Sequence, residues 1–166
     1  FAQSVDAELL AWGETWGAPG FLPAPGDYDG DGQADFAVWD TASGNWYIRT
    51  VAGATLAFAF NWGGPGMMPV SGDFDGDGIS DLAVYNIATG AWYIKNLSST
   101  VIAFGTVLGG AGMVPVSGDY DGDGNADLAV YNEATGKWFI TTVGGSVIAW
   151  DLGWGGPGMA ASGAAW

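Results

Sequence analysis

The sequence predicts an all-β protein assembled from repeated four-stranded units, and three observations predict it. A Gly-Asp-aromatic-Asp-Gly-Asp-Gly-x-x-Asp string begins at Gly26, Gly72 and Gly118, 46 residues apart each time. A second string, Trp/Leu-Gly-x-x-Gly, starts at Trp16, Trp62, Leu108 and Trp154 with the same period. Between them recur short apolar runs bounded by turn residues, which is how strands buried on both faces read. Self-similarity at a fixed period of this length marks a repeat architecture, in which each unit buries its apolar face against its neighbours.

The units run 23–68, 69–114 and 115–160, and the last two share 27 of 46 residues without a gap. Residues 1–22 match the back half of a unit: Phe1 aligns with Tyr47, Leu10 with Leu56 and Trp16 with Trp62. The tail 161–166 starts a further, degenerate repeat, with Ala165 where Asp119 stands one unit earlier.

Each unit carries four expected strands. Pro69-Val70-Ser71 and Pro115-Val116-Ser117 lead into the acidic loop, and Leu82-Ala83-Val84-Tyr85 and Leu128-Ala129-Val130-Tyr131 follow it. Thr89-Gly90 and Thr135-Gly136 mark hairpin turns into Trp92-Tyr93-Ile94 and Trp138-Phe139-Ile140. Val101-Ile102-Ala103-Phe104 and Val147-Ile148-Ala149-Trp150 supply the fourth strand. The segment 7–12 has a helical pattern on its own, but its alignment with 53–58 makes it a strand. Four short strands in 40–50 residues fit a β-propeller blade; a solenoid would call for longer arrays with capping repeats. The expected fold is a β-propeller of 46-residue blades, three full blades and a half blade per chain.

Composition narrows the function. The 166 residues hold three Lys+Arg against 18 Asp+Glu, a net charge of −15, so phosphate-rich partners such as nucleic acid are repelled. With no His and no Cys, His-based acid–base catalysis, Ser/His and Cys/His triads, ordinary zinc sites and disulfides are all excluded. Ten Trp, eight Phe and six Tyr exclude disorder. The uncharged stretch 96–118 is too broken by Gly105, Gly109, Gly110, Gly112 and Pro115 to span a membrane. The first residues lack the basic and apolar regions of a secretion signal, as a processed chain also would.

In Asp27-Tyr28-Asp29-Gly30-Asp31-Gly32-Gln33-Ala34-Asp35, acids stand at positions 1, 3, 5 and 9, with a glycine at position 6 for the sharp turn. This is how the first part of an EF-hand loop surrounds Ca²⁺ with oxygens. Position 12 is Val38, Val84 or Val130, so an EF-hand itself is excluded. Four carboxylates in nine residues repel one another unless a hard cation neutralises them, and Ca²⁺ tolerates that many carboxylates better than Mg²⁺. Twelve of the 18 acids lie in the three loops, and three Ca²⁺ per chain move the net charge from −15 to −9. An Asp-Gly turn without metal explains one such pair but not three nine-residue copies.

The loops 27–35, 73–81 and 119–127, each running into an Ala/Leu-rich strand (36–38, 82–84, 128–130), resemble the FG-GAP/VCBS-type repeats of integrin α-chain propellers and of many bacterial surface and secreted proteins. The resemblance implies a propeller with one Ca²⁺ per loop. The implied side-chain ligands are Asp27, Asp29, Asp31 and Asp35; Asp73, Asp75, Asp77 and Asp81; and Asp119, Asp121, Asp123 and Asp127. Backbone ligands are implied at Gln33, Ile79 and Asn125, and an extracellular or cell-surface location, bacterial in origin, comes with the family.

Three blades fall short of the 4–8 that close a ring, so the chain is expected to self-associate, most simply as a dimer. A fragment of a longer array is the other reading. The expected role is structural or adhesive, with carbohydrate or a surface protein as partner; a carbohydrate-binding propeller and an engineered or duplicated array without ligand are the alternatives. Trp62 and Trp154 are the candidate sugar contacts, although Leu108 at the same repeat position argues for packing. Trp46, Trp92 and Trp138 belong to strand runs and to the core. No enzymatic activity is expected, because the remaining acids (Asp6, Glu8, Glu14, Asp40, Glu133, Asp151) do not recur together.

Overall fold

The computed structural model describes residues 2–3, 9–11, 13 and 15–161. Among these every regular element is a strand. A short pair, β1 (Ala2–Gln3) and β2 (Leu9–Ala11), runs antiparallel. Leu9–Ala11 is thus extended, as the repeat alignment expects; Ala7, Glu8 and Trp12 lie outside the described residues.

Three four-stranded antiparallel sheets follow, each with its strands in chain order. The first holds β3 (Phe21–Pro23), β4 (Phe36–Asp40), β5 (Asn45–Arg49) and β6 (Thr55–Asn61). The second holds β7 (Met67–Gly72), β8 (Asp81–Asn86), β9 (Ala91–Lys95) and β10 (Val101–Val107). The third holds β11 (Met113–Pro115), β12 (Leu128–Asn132), β13 (Lys137–Thr141) and β14 (Val147–Gly153). None closes into a barrel; the sheets are arranged like the blades of a propeller.

The expected hairpin turns are present. At Gly90 the φ of +73° continues a chain that β-branched residues could not follow, and the Asn86 side chain accepts the N–H groups of Ala88 and Thr89 to hold the turn. Each fourth strand carries a bulge, at Ala59, Gly105 and Asp151, all with positive φ.

The core lies between sheets. Trp39, Trp46 and Ile48 of the first sheet pack with Leu82 and Val84 of the second. Tyr85, Trp92 and Ile94 of the second pack with Leu128 and Val130 of the third. The middle strand β8 is consequently buried on both faces from Asp81 to Tyr85, whereas β4 alternates buried with half-buried because Phe36 and Val38 have less in front of them. The buried indoles keep their polar atom satisfied: Trp46 Nε1 donates to Trp62 O and Trp92 Nε1 to Leu108 O.

Two clasps tie successive blades. In the first, on the segments that lead into the acidic loops, Ser71 Oγ donates to Pro25 O at 2.7 Å and Ser117 Oγ to Ser71 O at 2.6 Å. In the second, reaching the third strands, Trp16 Nε1 donates to Tyr47 O and Trp62 Nε1 to Tyr93 O, both at 3.1 Å. The same indoles lie under cations: Arg49 over Trp16 at 5.3 Å and Lys95 over Trp62 at 4.5 Å.

Candidate metal centre

Each acidic loop joins the first and second strands of a sheet. Its neck is closed by antiparallel pairing of Gly26 with Asp35, Gly72 with Asp81 and Gly118 with Asp127. Above the neck the chain winds back on itself through glycines with φ of +83°, +85° and +93° at Gly32, Gly78 and Gly124, the sixth position of each loop. A side chain there would force a residue into the left-handed region.

The winding is stabilised by the first aspartate. Asp27 Oδ1 accepts the N–H of Gly30 at 2.7 Å and of Asp31 at 3.2 Å, and its Oδ2 accepts Gly32 N–H at 2.7 Å. Asp73 and Asp119 repeat all three bonds. The last aspartate is the buried one: Asp35, Asp81 and Asp127 are 4 %, 1 % and 2 % exposed. One oxygen of each accepts a backbone N–H, from Tyr28, Phe74 and Tyr120 respectively, at 2.8–2.9 Å.

These positions converge. In each loop, carboxylate oxygens of the first, third and ninth residues lie within 4.8 Å of one another: Asp27, Asp29 and Asp35; Asp73, Asp75 and Asp81; Asp119, Asp121 and Asp127. The fifth residue is placed differently. Asp31, Asp77 and Asp123 turn their carboxylates to the N–H groups of Gln33, Ile79 and Asn125 at 2.8–2.9 Å. The carbonyls of those three residues accept no hydrogen bond among the described residues, so they remain open donors to a cation.

The electrostatics match the geometry. Burial raises the carboxyls of Asp35, Asp81 and Asp127, and the neighbouring aspartates of the same loop raise them further, against the lowering effect of the backbone N–H. Asp81 is pushed up to about 7. The charged groups that act on Asp81 are Asp75, Asp73 and Asp77, all negative. A buried carboxylate with one hydrogen bond and three acidic neighbours is compensated by a bound cation or by a proton. An all-oxygen donor set of carboxylates and backbone carbonyls suits a hard cation, so the residues present fit Ca²⁺.

The other candidates are placed as follows. Trp62 is half-buried at the junction of the first two sheets, in a notch of about 280 Å³ with Met67, Tyr93 and Phe104. Trp154 is 79 % exposed. Trp46 and Trp92 are fully buried and Trp138 is half-buried. Asp40 caps a turn through Ser43 and Ala42, and Asp151 pairs with Lys137 at 2.6 Å; Asp6, Glu8 and Glu14 lie outside the described residues, as do 162–166. Sequence reasoning passed over the cations on the indoles. Their signal was present: Arg49 and Lys95 are 46 residues apart, and where Leu108 replaces the tryptophan, Thr141 replaces the base.

Neither a curated protein nor a solved structure matches the chain significantly. The family model of the FG-GAP-like repeat matches twice, over residues 27–84 and 73–130. Both matches begin at the first aspartate of a loop and end in the second strand of the following sheet, so each spans one repeat and the next acidic loop. Together they cover more than half of the chain, which belongs to the FG-GAP-like repeat family.

Proposed function

We propose that the chain is a calcium-binding repeat module of an extracellular or cell-surface protein, structural or adhesive in role, in which one Ca²⁺ per acidic loop holds a blade in shape. The observation that carries this reading is the threefold recurrence of a buried aspartate whose charged neighbours are all acidic. The ion would be held by Asp27, Asp29 and Asp35 and their equivalents, with the open carbonyls of Gln33, Ile79 and Asn125. Its chemistry is charge neutralisation, and its energy of binding adds to the energy of folding. Family membership supports the location, since such repeats are typical of extracellular proteins; no helix among the described residues is long and apolar enough to cross a membrane.

Self-association belongs to the same proposal. The face of the third sheet that points away from the second exposes what the other sheets cover. Tyr120 is 38 % exposed where Tyr28 and Phe74 are 2 % and 3 %, and Trp154 stands open where Leu108 is buried. Apolar surface of this kind is a docking surface in repeat proteins.

Thermal unfolding in excess Ca²⁺ and in EDTA tests the metal reading. Free ligand at 100 times Kd contributes about 2.7 kcal/mol per site, so a rise in Tm well above that produced by Mg²⁺ is expected. Identical melting in both conditions would refute it.

A second reading, carbohydrate binding, is favoured by one observation. The notch at Trp62 recurs 46 residues earlier, where Trp16, Phe21, Tyr47 and Phe58 line about 260 Å³, so sheet junctions present aromatic platforms. A glycan screen in calcium, repeated with Trp62→Ala, decides it: reproducible binding lost in the variant supports it and no binding removes it.

A further inference from the structure

Resting on the calcium reading above, we infer that the three metal sites load as a coupled chain, with Ser80 and Ala126 as the positioning residues that pass order from each loop to the next. The main-chain carbonyl of Asp27 accepts the N–H of Ser80 at 2.6 Å, and that of Asp73 accepts the N–H of Ala126 at 2.5 Å. Asp27 and Asp73 open their loops. Ser80 and Ala126 immediately precede Asp81 and Asp127, the buried aspartates that close the following loops. Each bond therefore joins the residue carrying the first ligand of one site to the peptide beside the last ligand of its neighbour.

The surrounding contacts repeat with the same offset. A Cβ at Gly26 would stand 2.7 Å from Ser80 Oγ, and one at Gly72 would stand 2.9 Å from the Ala126 Cβ. These glycines let the next loop lie directly against the backbone. One turn further out, Ile79 packs on Gly30 and the Asn125 carboxamide fills the space above Gly76. Successive loops are thus nested, each in contact with its neighbour at two points.

Nesting has an energetic consequence. A free loop of exposed acids and glycines loses conformational entropy when it closes on an ion. Once one loop is closed, the peptide of Ser80 or Ala126 is fixed from outside, so the neighbouring loop has less disorder to lose and binds more tightly. Repulsion between loaded sites acts in the opposite direction, and salt screens it. Coupling is reciprocal between sites. The Ala34 N–H and the Asp119 carbonyl make no corresponding bond among the described residues. The chain accordingly has two couplings, and the second loop takes part in both.

Calorimetric titration of the decalcified 166-residue chain with CaCl₂, in about 0.15 M salt, tests this. Wild type is expected to bind with a Hill coefficient above one, each filled loop raising its neighbour's affinity about fivefold or more. Two double variants with the same charge change separate coupling from general weakening. Asp75→Asn with Asp77→Asn silences the middle loop and leaves two sites that bind independently, with a Hill coefficient of one. Asp29→Asn with Asp31→Asn silences the first loop and leaves two neighbours that still bind cooperatively. Ala126→Pro, which removes one donor and keeps every carboxylate, lowers the wild-type coefficient while circular dichroism checks its fold. Three independent sites in wild type, or equal coefficients in the two double variants, would overturn the coupling and leave the calcium reading standing. Absence of any calcium-specific binding by a folded chain would overturn both.

Discussion

Asp81 concentrates the chemistry of the site in one side chain. It is 1 % exposed, accepts one hydrogen bond from Phe74 N–H, and has three aspartates of its own loop around it. Its carboxyl is pushed from 3.8 up to about 7 in the metal-free fold. A group raised on folding favours the fold while it is protonated. Its contribution is therefore complete below about 4 and is lost as the pH rises through 7. Metal-free protein is predicted to lose melting temperature between pH 5 and pH 8, and Asp81→Asn to remove that component of the slope. The variant has opposite effects in the two metal states. In EDTA at pH 8 it is predicted to be more stable than wild type, on the order of 1 kcal/mol, because a neutral amide replaces an uncompensated buried charge. In excess Ca²⁺ it is predicted to be less stable, because a ligand is lost. Thermal melts in the four conditions check both signs.

At the scale of the element, the strands and turns were legible in the sequence, and the joints between blades largely were not. Short apolar runs, turn residues and the period of 46 placed β8, β9 and β10 correctly, because each is fixed by local chemistry that repeats. The period also decided the extended state of Leu9–Ala11, where a helical pattern taken alone misleads. The acidic loop could be read for the same reason: Asp and Gly at fixed offsets dictate the winding. Two features could not be read off one unit. The bonds from Ser80 and Ala126 are made by backbone N–H groups, which leave no mark on side-chain identity. The turning of Asp31 and its equivalents to the N–H two residues on is a choice between acceptors that spacing does not settle.

The cation clasps are visible once repeats are compared, and they predict a measurable cost. Lys95 lies 4.2 Å from the Phe60 ring and 4.5 Å from that of Trp62, and its Nζ also donates to Asn61 O. Lys95→Met keeps the stem and removes the charge, and is predicted to destabilise by about 0.5–1 kcal/mol. The core indole on the opposite face of the same strand carries far more. Trp92→Ala opens a void between the second and third sheets and is predicted to cost about 3–5 kcal/mol. Urea denaturation of the two variants in calcium measures both losses on one scale.

For the whole molecule, the charge of −15 and the open face of the third sheet determine behaviour in solution. Most of that charge sits in the three loops, so metal-free chain repels itself; added salt is predicted to raise its stability, and calcium to do so at far lower ionic strength. The open face carries Trp154 and Leu152, 79 % and 52 % exposed. Light scattering in calcium is predicted to give a mass near twice 17.0 kDa, reduced to the single-chain value by Trp154→Ser. A single-chain mass for wild type at high concentration would refute association through this surface.

Each acidic loop is predicted to hold one calcium ion, and native mass spectrometry of the decalcified chain titrated with calcium acetate counts the ions directly. A species with three Ca²⁺ per chain is predicted to dominate at saturation, with Mg²⁺ failing to replace it at equal concentration. A ladder of adducts with no preferred number, the same for both metals, would contradict it.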